Sequence, residues 1–150
     1  MPRQMIKPDS ENAIQAAFFK WCGLMERQHP ELRLIHAIPN GAHKSAVSRM
    51  VFKLTGLKAG VPDVSFPVAR GRYHGVYLEF KSAKGRISPE QQAWLDDLTA
   101  QGYLCLVVRD WETAAHQLLE YLSLPVQNVK PRKSATASLL SIYCADANEL

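Results

Sequence analysis

Two short groups of residues carry the chemistry this sequence could do. Pro62-Asp63 comes first, and Glu79-Phe80-Lys81 follows, the second acid 16 positions after the first. If each group lies on a strand, alternation puts Glu79 and Lys81 on one face and turns Phe80 to the other. A hairpin between those strands brings Asp63, at the start of one, to the end of the other. Two carboxylates held close repel each other unless a cation sits between them. A hard divalent ion, Mg²⁺ or Mn²⁺, takes oxygen ligands of this type, and the backbone carbonyl of Phe80 offers a third oxygen. Lys81 beside such an ion is placed to orient or help deprotonate an attacking water. This set is equipped to hydrolyse a phosphodiester.

The flanking elements must hold these groups in place. Pro8-Asp9-Ser10 opens a helix over 9–28 with Asp9 or Ser10 as N-cap. Ile14, Ala17, Phe18, Trp21, Leu24 and Met25 recur at three and four to make its apolar face. Glu11 belongs to that face, at its solvent-facing end. Leu32–Ile38 is predicted as a strand ended by Pro39-Asn40-Gly41, and Ser45–Leu54 as a short helix stopped by Gly56 and Gly60. Strands over Asp63–Val68 and Val76–Lys81 flank a basic hairpin loop, 69–75. Ser88, Pro89 and Gln91 form a capping-box pattern that opens a helix to about Gln101, closed by Gly102. Tyr103–Val108 is almost continuously apolar and predicts an interior strand; a last helix covers 111–122. This order implies an α/β fold, a mixed central β-sheet flanked by α-helices, with a parallel crossover through 88–102.

The chain has 150 residues, 47% hydrophobic and 21% charged, so it has the size and composition of one globular domain. Cys22, Cys105 and Cys144 are far apart, which argues against a disulfide framework or zinc ribbon and fits a reducing compartment. No signal-peptide pattern opens the sequence and no apolar run has the length of a bilayer span. The expected location is cytoplasmic, and membrane association is not expected. The formal net charge is +4, and its distribution is uneven. Between Leu32 and Pro62 there is no acid, while Arg33, Lys44, Arg49, Lys53 and Lys58 occur with His36 and His43. Arg70, Arg72, Lys81, Lys84 and Arg86 make a second basic group, and Lys130, Arg132 and Lys133 a third. Separated basic segments can converge into a surface that tracks phosphates, or remain a solvated basic face. The candidate nucleic-acid contacts are Arg33, His36, Asn40, Lys44, Arg49, Lys53, Lys58, Lys84 and Arg86.

The Pro62-Asp63 and Glu79-Phe80-Lys81 pattern resembles that of the PD-(D/E)xK nuclease superfamily. More narrowly, His36–Gly41, Gly56–Asp63 and Ile87–Leu95 resemble the VRR-NUC family, and the resemblance spans about 10–122. It implies a restriction-endonuclease-like core and a Mg²⁺- or Mn²⁺-dependent nuclease, often homodimeric, of a kind found in phages and bacteria. Some members act on branched DNA such as Holliday junctions. Carried onto this sequence, the resemblance makes Asp63 and Glu79 metal ligands and Lys81 the catalytic lysine. Glu11 matches the helix-borne acid, reaching the metal through a water, and Gln91 matches the active-site glutamine. The plainer alternatives are a first-turn helix-dipole acid for Glu11 and the reciprocal half of a capping box for Gln91.

The expected organisation is a nuclease domain over 1–124 and a basic linker and tail over 125–150, which docks, dimerises or frays. The expected activity is DNA cleavage that selects structure over sequence, in replication, recombination or repair, within a bacterial or phage-infected cell. A twofold dimer would suit the two strands of a junction. The alternatives are a catalytically silent nucleic-acid-binding module on a nuclease fold and a sequence-specific restriction-type nuclease.

Overall fold

The computed structural model describes residues 10–39, 50 and 54–127. Ser10 caps the first helix, α1 (Glu11–Met25), by accepting the Ala13 N–H at 3.2 Å. Its buried line is Ile14, Phe18 and Cys22, one residue every helical turn. Leu24, expected on the apolar face, is 71% exposed, and Cys22 occupies the core in its place. The helix stops short of the expected 28 because His29 precedes Pro30, which disfavours helical backbone there.

The strand expected over Leu32–Ile38 is mostly something else. Pro30–Leu34 forms a 3-10 turn, and only His36–Ala37 are strand, β1. Pro30 fits the first turn of a helix, and the turn drives Leu32 fully into the core. The helix expected over Ser45–Leu54 lies almost wholly outside the described residues.

β2 (Val64–Phe66) and β3 (Val76–Phe80) form the expected antiparallel hairpin, with Val64 opposite Leu78 and Phe66 opposite Val76. The capping box at Ser88 opens α2 (Pro89–Ala100), which leads to β4 (Leu104–Val108), parallel to β3. Asp110 caps the last helix, α3 (Trp111–Ser123), by accepting the Thr113 N–H at 2.6 Å. The sheet order is β1-β2-β3-β4, a mixed sheet flanked by helices, as expected.

Among the described residues β4 is at the end of that order, in place of the interior position expected for it. Its apolar run is only partly buried, with Leu104 and Leu106 packed against the core and Val107 41% exposed, so an unbroken apolar run does not by itself mark a strand as interior.

α1 and α3 cover the Val76, Leu78 and Phe80 face. The Phe18 and Phe80 rings lie 5.5 Å apart, and the Phe66 and Tyr121 rings 6.3 Å apart. α2 covers the opposite face, towards which Tyr77 and Glu79 turn. Arg70, one of the basic residues set out above, is not a surface cation. It is 6% exposed and bonds Glu31 at 2.5 Å, tying the hairpin to the 3-10 turn. Beyond α3 the chain is fastened to the same hairpin: the Gly71 N–H donates to Pro125 O at 2.8 Å, and Arg70 bridges to Val126. The remainder of the tail, 128–150, lies outside the described residues.

Candidate active site

Asp63 immediately precedes β2, and the hairpin register carries it to the end of β3. Its Oδ2 accepts the Phe80 N–H at 2.8 Å. The N–H and C=O of one strand residue project from the same edge, so the Phe80 carbonyl also lies on the Asp63 side. On the other edge, the Lys81 N–H donates to Val108 O at 2.9 Å. β3 is thus held from both sides at the point where its candidate site residues sit.

Glu79 is 1% exposed. Its Oε1 receives the Lys81 ammonium at 2.9 Å and the Gln91 Nε2–H. Its Oε2 is buried with no hydrogen-bond partner. Burial pushes the Glu79 carboxyl above its ordinary range; the Lys81 contact opposes this, and the charges of Asp63 and Glu11 add to it. A buried carboxylate oxygen without a donor is costly, and a cation between it and Asp63 would satisfy it. The donor set fits a hard divalent ion in an open site: two carboxylates and a backbone carbonyl, with water for the remainder. Among the described residues no three His, Cys, Asp or Glu side chains cluster as a metal cage.

Lys81 is 7% exposed, and its ammonium lies between a strand acid and a helix acid, 2.9 Å from Glu79 and 4.0 Å from Glu11. Glu11 reaches the end of β3 from the first turn of α1, where its Oε1 accepts the Ser82 N–H at 3.3 Å. Gln91 makes two contacts at once. Its Oε1 accepts the Ser88 N–H at 3.0 Å, which completes the capping box, while its Nε2 donates to Glu79. The cap fixes the side chain and the free end of the amide faces the site.

The structure therefore brings Glu11, Asp63, Glu79, Lys81 and Gln91 to one end of β3. The VRR-NUC domain model matches residues 4–111, nearly three-quarters of the chain and all five of these positions. The chain belongs to the VRR-NUC domain family. A solved structure described as a VRR_NUC domain protein is 27% identical, with a TM-score of 0.67, and the match covers 81% of this chain and 94% of that one. No curated protein matches the chain. Membership of the VRR-NUC family makes this a nuclease-type domain, a hydrolase whose substrate class is DNA, and the likeness to the solved structure agrees with the restriction-endonuclease-like fold.

In this VRR-NUC domain the segment leading to Asp63 is seated on α2 by two residues that the acid-and-lysine pattern does not mark. Trp94 Nε1 donates to Ala59 O at 3.0 Å. Gly60 has φ +84, and a Cβ there would lie 2.7 Å from the Glu90 backbone, so only glycine permits both the turn and the approach. A half-buried tryptophan on a helix with little other apolar surface is the signal that could have marked this contact. Of the candidate nucleic-acid contacts, Arg33, His36, Lys58, Lys84 and Arg86 are exposed. The Lys58 ammonium lies 6.0 Å from the Trp94 ring centroid, at the edge of cation–π range. Asn40, Lys44, Arg49 and Lys53 lie outside the described residues. The Cys22 thiol is no candidate nucleophile, since burial pushes its pKa up to about 12. Among the described residues no helix is long and apolar enough to cross a membrane.

Proposed function

We propose that this chain is a Mg²⁺- or Mn²⁺-dependent endonuclease that cuts branched or otherwise structured DNA. The observation that carries the metal-dependent chemistry is the buried, unpartnered Oε2 of Glu79 beside Asp63, with Lys81 and Gln91 already committed to the other oxygen. Asp63, Glu79 and the Phe80 carbonyl are the residues that would hold the ion. When bound, the ion supplies Lewis-acid stabilisation of charge on the phosphate. The chain's own groups do the positioning. Gln91 fixes the rotamer of Glu79. Lys81 orients the attacking water with its ammonium, and Glu11 steadies Lys81 from the α1 side. Arg33, His36, Lys58, Lys84 and Arg86, with Asn40, Lys44, Arg49 and Lys53, contact the DNA backbone.

Selection by structure over sequence is supported by economy. Every helix and strand among the described residues belongs to the core that holds the site, and none is added to enter a groove. A homodimer, with one site for each of two strands of a junction, suits this activity. The setting is the cytoplasm of a bacterial or phage-infected cell. A panel of plasmid, flap, fork and four-way-junction DNA, each with Mg²⁺, Mn²⁺, Ca²⁺ or EDTA, tests the proposal. Cleavage is expected on branched substrates with Mg²⁺ or Mn²⁺, and not with Ca²⁺, which coordinates more loosely. Cleavage that survives EDTA overturns the metal assignment. Binding without cutting on every substrate and with every ion overturns the enzyme assignment.

A further inference from the structure

The loop after Lys81, residues 82–88, forms a lip that borders the site where the Ser82 N–H meets Glu11, and one residue from a different element holds it. Arg109 directly follows β4. Its Nη1 points at three carbonyl oxygens of the lip: Ser82 at 2.5 Å, Gly85 at 2.9 Å and Ala83 at 3.4 Å. The salt bridges among the described residues include none from Arg109 to an acid. Its charge is used on backbone oxygens of one loop, through charge-assisted hydrogen bonds that are stronger than neutral ones. Immediately before Arg109, the Val108 carbonyl accepts the Lys81 N–H. Val108 and Arg109 therefore hold the end of β3 and the lip together.

What the lip presents to the site gives the contact its meaning. The Ser82 N–H donates to Glu11 Oε1, and the same Glu11 oxygen lies 4.0 Å from the Lys81 ammonium. Gly85 closes the seat: a Cβ there would come within 2.9 Å of Glu11 Oε1 and 3.0 Å of Ser82 Oγ. Lys84 and Arg86, on the same loop, are exposed. A shift of the lip would move the donor to Glu11 and the two cations together.

We infer that Arg109 is a positioning residue of the nuclease site, acting through the three lip carbonyls to hold the Ser82 N–H against Glu11 and to present Lys84 and Arg86 to the substrate phosphates. This rests on the nuclease activity proposed above. Arg109 touches neither the ion site nor the reacting atoms. It is exposed at the surface, so its loss should leave the core packing intact.

Hydrogen exchange in the free protein, without DNA or metal, tests the contact separately from the activity. In Arg109→Ala the amides of Ser82 and Gly85 should exchange roughly 10-fold faster or more, the scale of losing charged hydrogen bonds, with the core amides of β3 unchanged. Single-turnover cleavage at saturating DNA should slow by about 10- to 100-fold, and Arg109→Lys should recover part of the rate. Free guanidinium at millimolar concentration should restore the lip amides and the rate in Arg109→Ala, and should do neither in Arg109→Met, where the side chain fills the space without charge. Unchanged Ser82 and Gly85 exchange overturns the contact. Faster exchange with a wild-type cleavage rate overturns the positioning role. If wild type itself cuts no DNA, the nuclease assignment falls with the positioning role, while the exchange data still decide whether Arg109 holds the lip.

Discussion

The two faces of the sheet are used in opposite ways. On one, α1 and α3 bury Phe18, Phe66, Val76, Leu78, Phe80, Leu118 and Tyr121 in an apolar core. On the other, α2 contributes one buried residue, Leu95, and sets Gln91 against Glu79. Adjacent residues of β3 serve the two environments: Phe80 packs on Phe18, while Glu79 and Lys81 turn the other way. The packed face provides the free energy that keeps the ends of β2 and β3 in register. The polar face uses some of it to keep a charged group with an unpartnered oxygen out of water. Such a site exists because stability supplied on the first face tolerates strain on the second.

Substitutions on each face should separate these roles. The largest effects belong to the polar face. Asp63→Asn should lose Mn²⁺ binding and cleavage together, and Lys81→Ala should lose about 10²- to 10⁴-fold in single-turnover rate while keeping Mn²⁺ and DNA affinity. Calorimetric titration beside quenched-flow cleavage checks both. A normal rate in Lys81→Ala would remove the catalytic role of the Glu79-Phe80-Lys81 strand.

On the packed face, Phe18→Ala should destabilise the fold by about 3–5 kcal/mol, read from denaturant unfolding. The surviving folded fraction should cut at nearly the wild-type rate. A rate loss larger than the loss of folded protein would mean that the two faces are not separable.

Glu11 joins the faces, since its helix packs on one and its carboxylate reaches the other. Glu11→Gln should slow cleavage by about 10- to 100-fold and leave Mn²⁺ bound. A wild-type rate would make it a helix-dipole acid only.

A smaller effect follows from the raised pKa of Glu79. The folded state holds that proton more tightly than the unfolded chain, whose carboxylate sits near 4.5. The resulting stability is complete below that pH and is lost as pH rises through the raised folded value. In metal-free protein, thermal midpoints of wild type should therefore fall relative to Glu79→Gln across that interval, and Mn²⁺ should reverse the trend. A midpoint difference that stays constant with pH would mean Glu79 is not strained. The smallest expected effect is at the rim: Lys84→Ala should lower the slope of DNA affinity against salt by about one unit per lost phosphate contact without altering the chemical step.

Much of this arrangement was legible from residue type and spacing. Alternation placed Glu79 and Lys81 together and Phe80 apart, because side-chain direction in a strand depends only on parity. Ser88, Pro89 and Gln91 announced α2, because a capping box is a local hydrogen-bond pattern. Local logic failed at a proline and at an apolar run. Pro30 converted an expected strand into a 3-10 turn, and β4, though apolar throughout, proved to end the sheet among the described residues with Val107 exposed.

The sequence by itself determined the hairpin that brings Asp63 to the end of the Glu79 strand and the shared face of Glu79 and Lys81, both of which rest on neighbours within about twenty positions, and its spaced segments carried the family resemblance. Only the tertiary structure decided what Arg70 and Arg109 do. In composition both count as basic charge. In the fold one is buried against Glu31, and the other is turned onto three carbonyls beside the site. A cation's partner is whatever the packed chain places within reach of it, and Glu31 and Ser82 come within reach of these two arginines only after the sheet, the 3-10 turn and the lip have assembled.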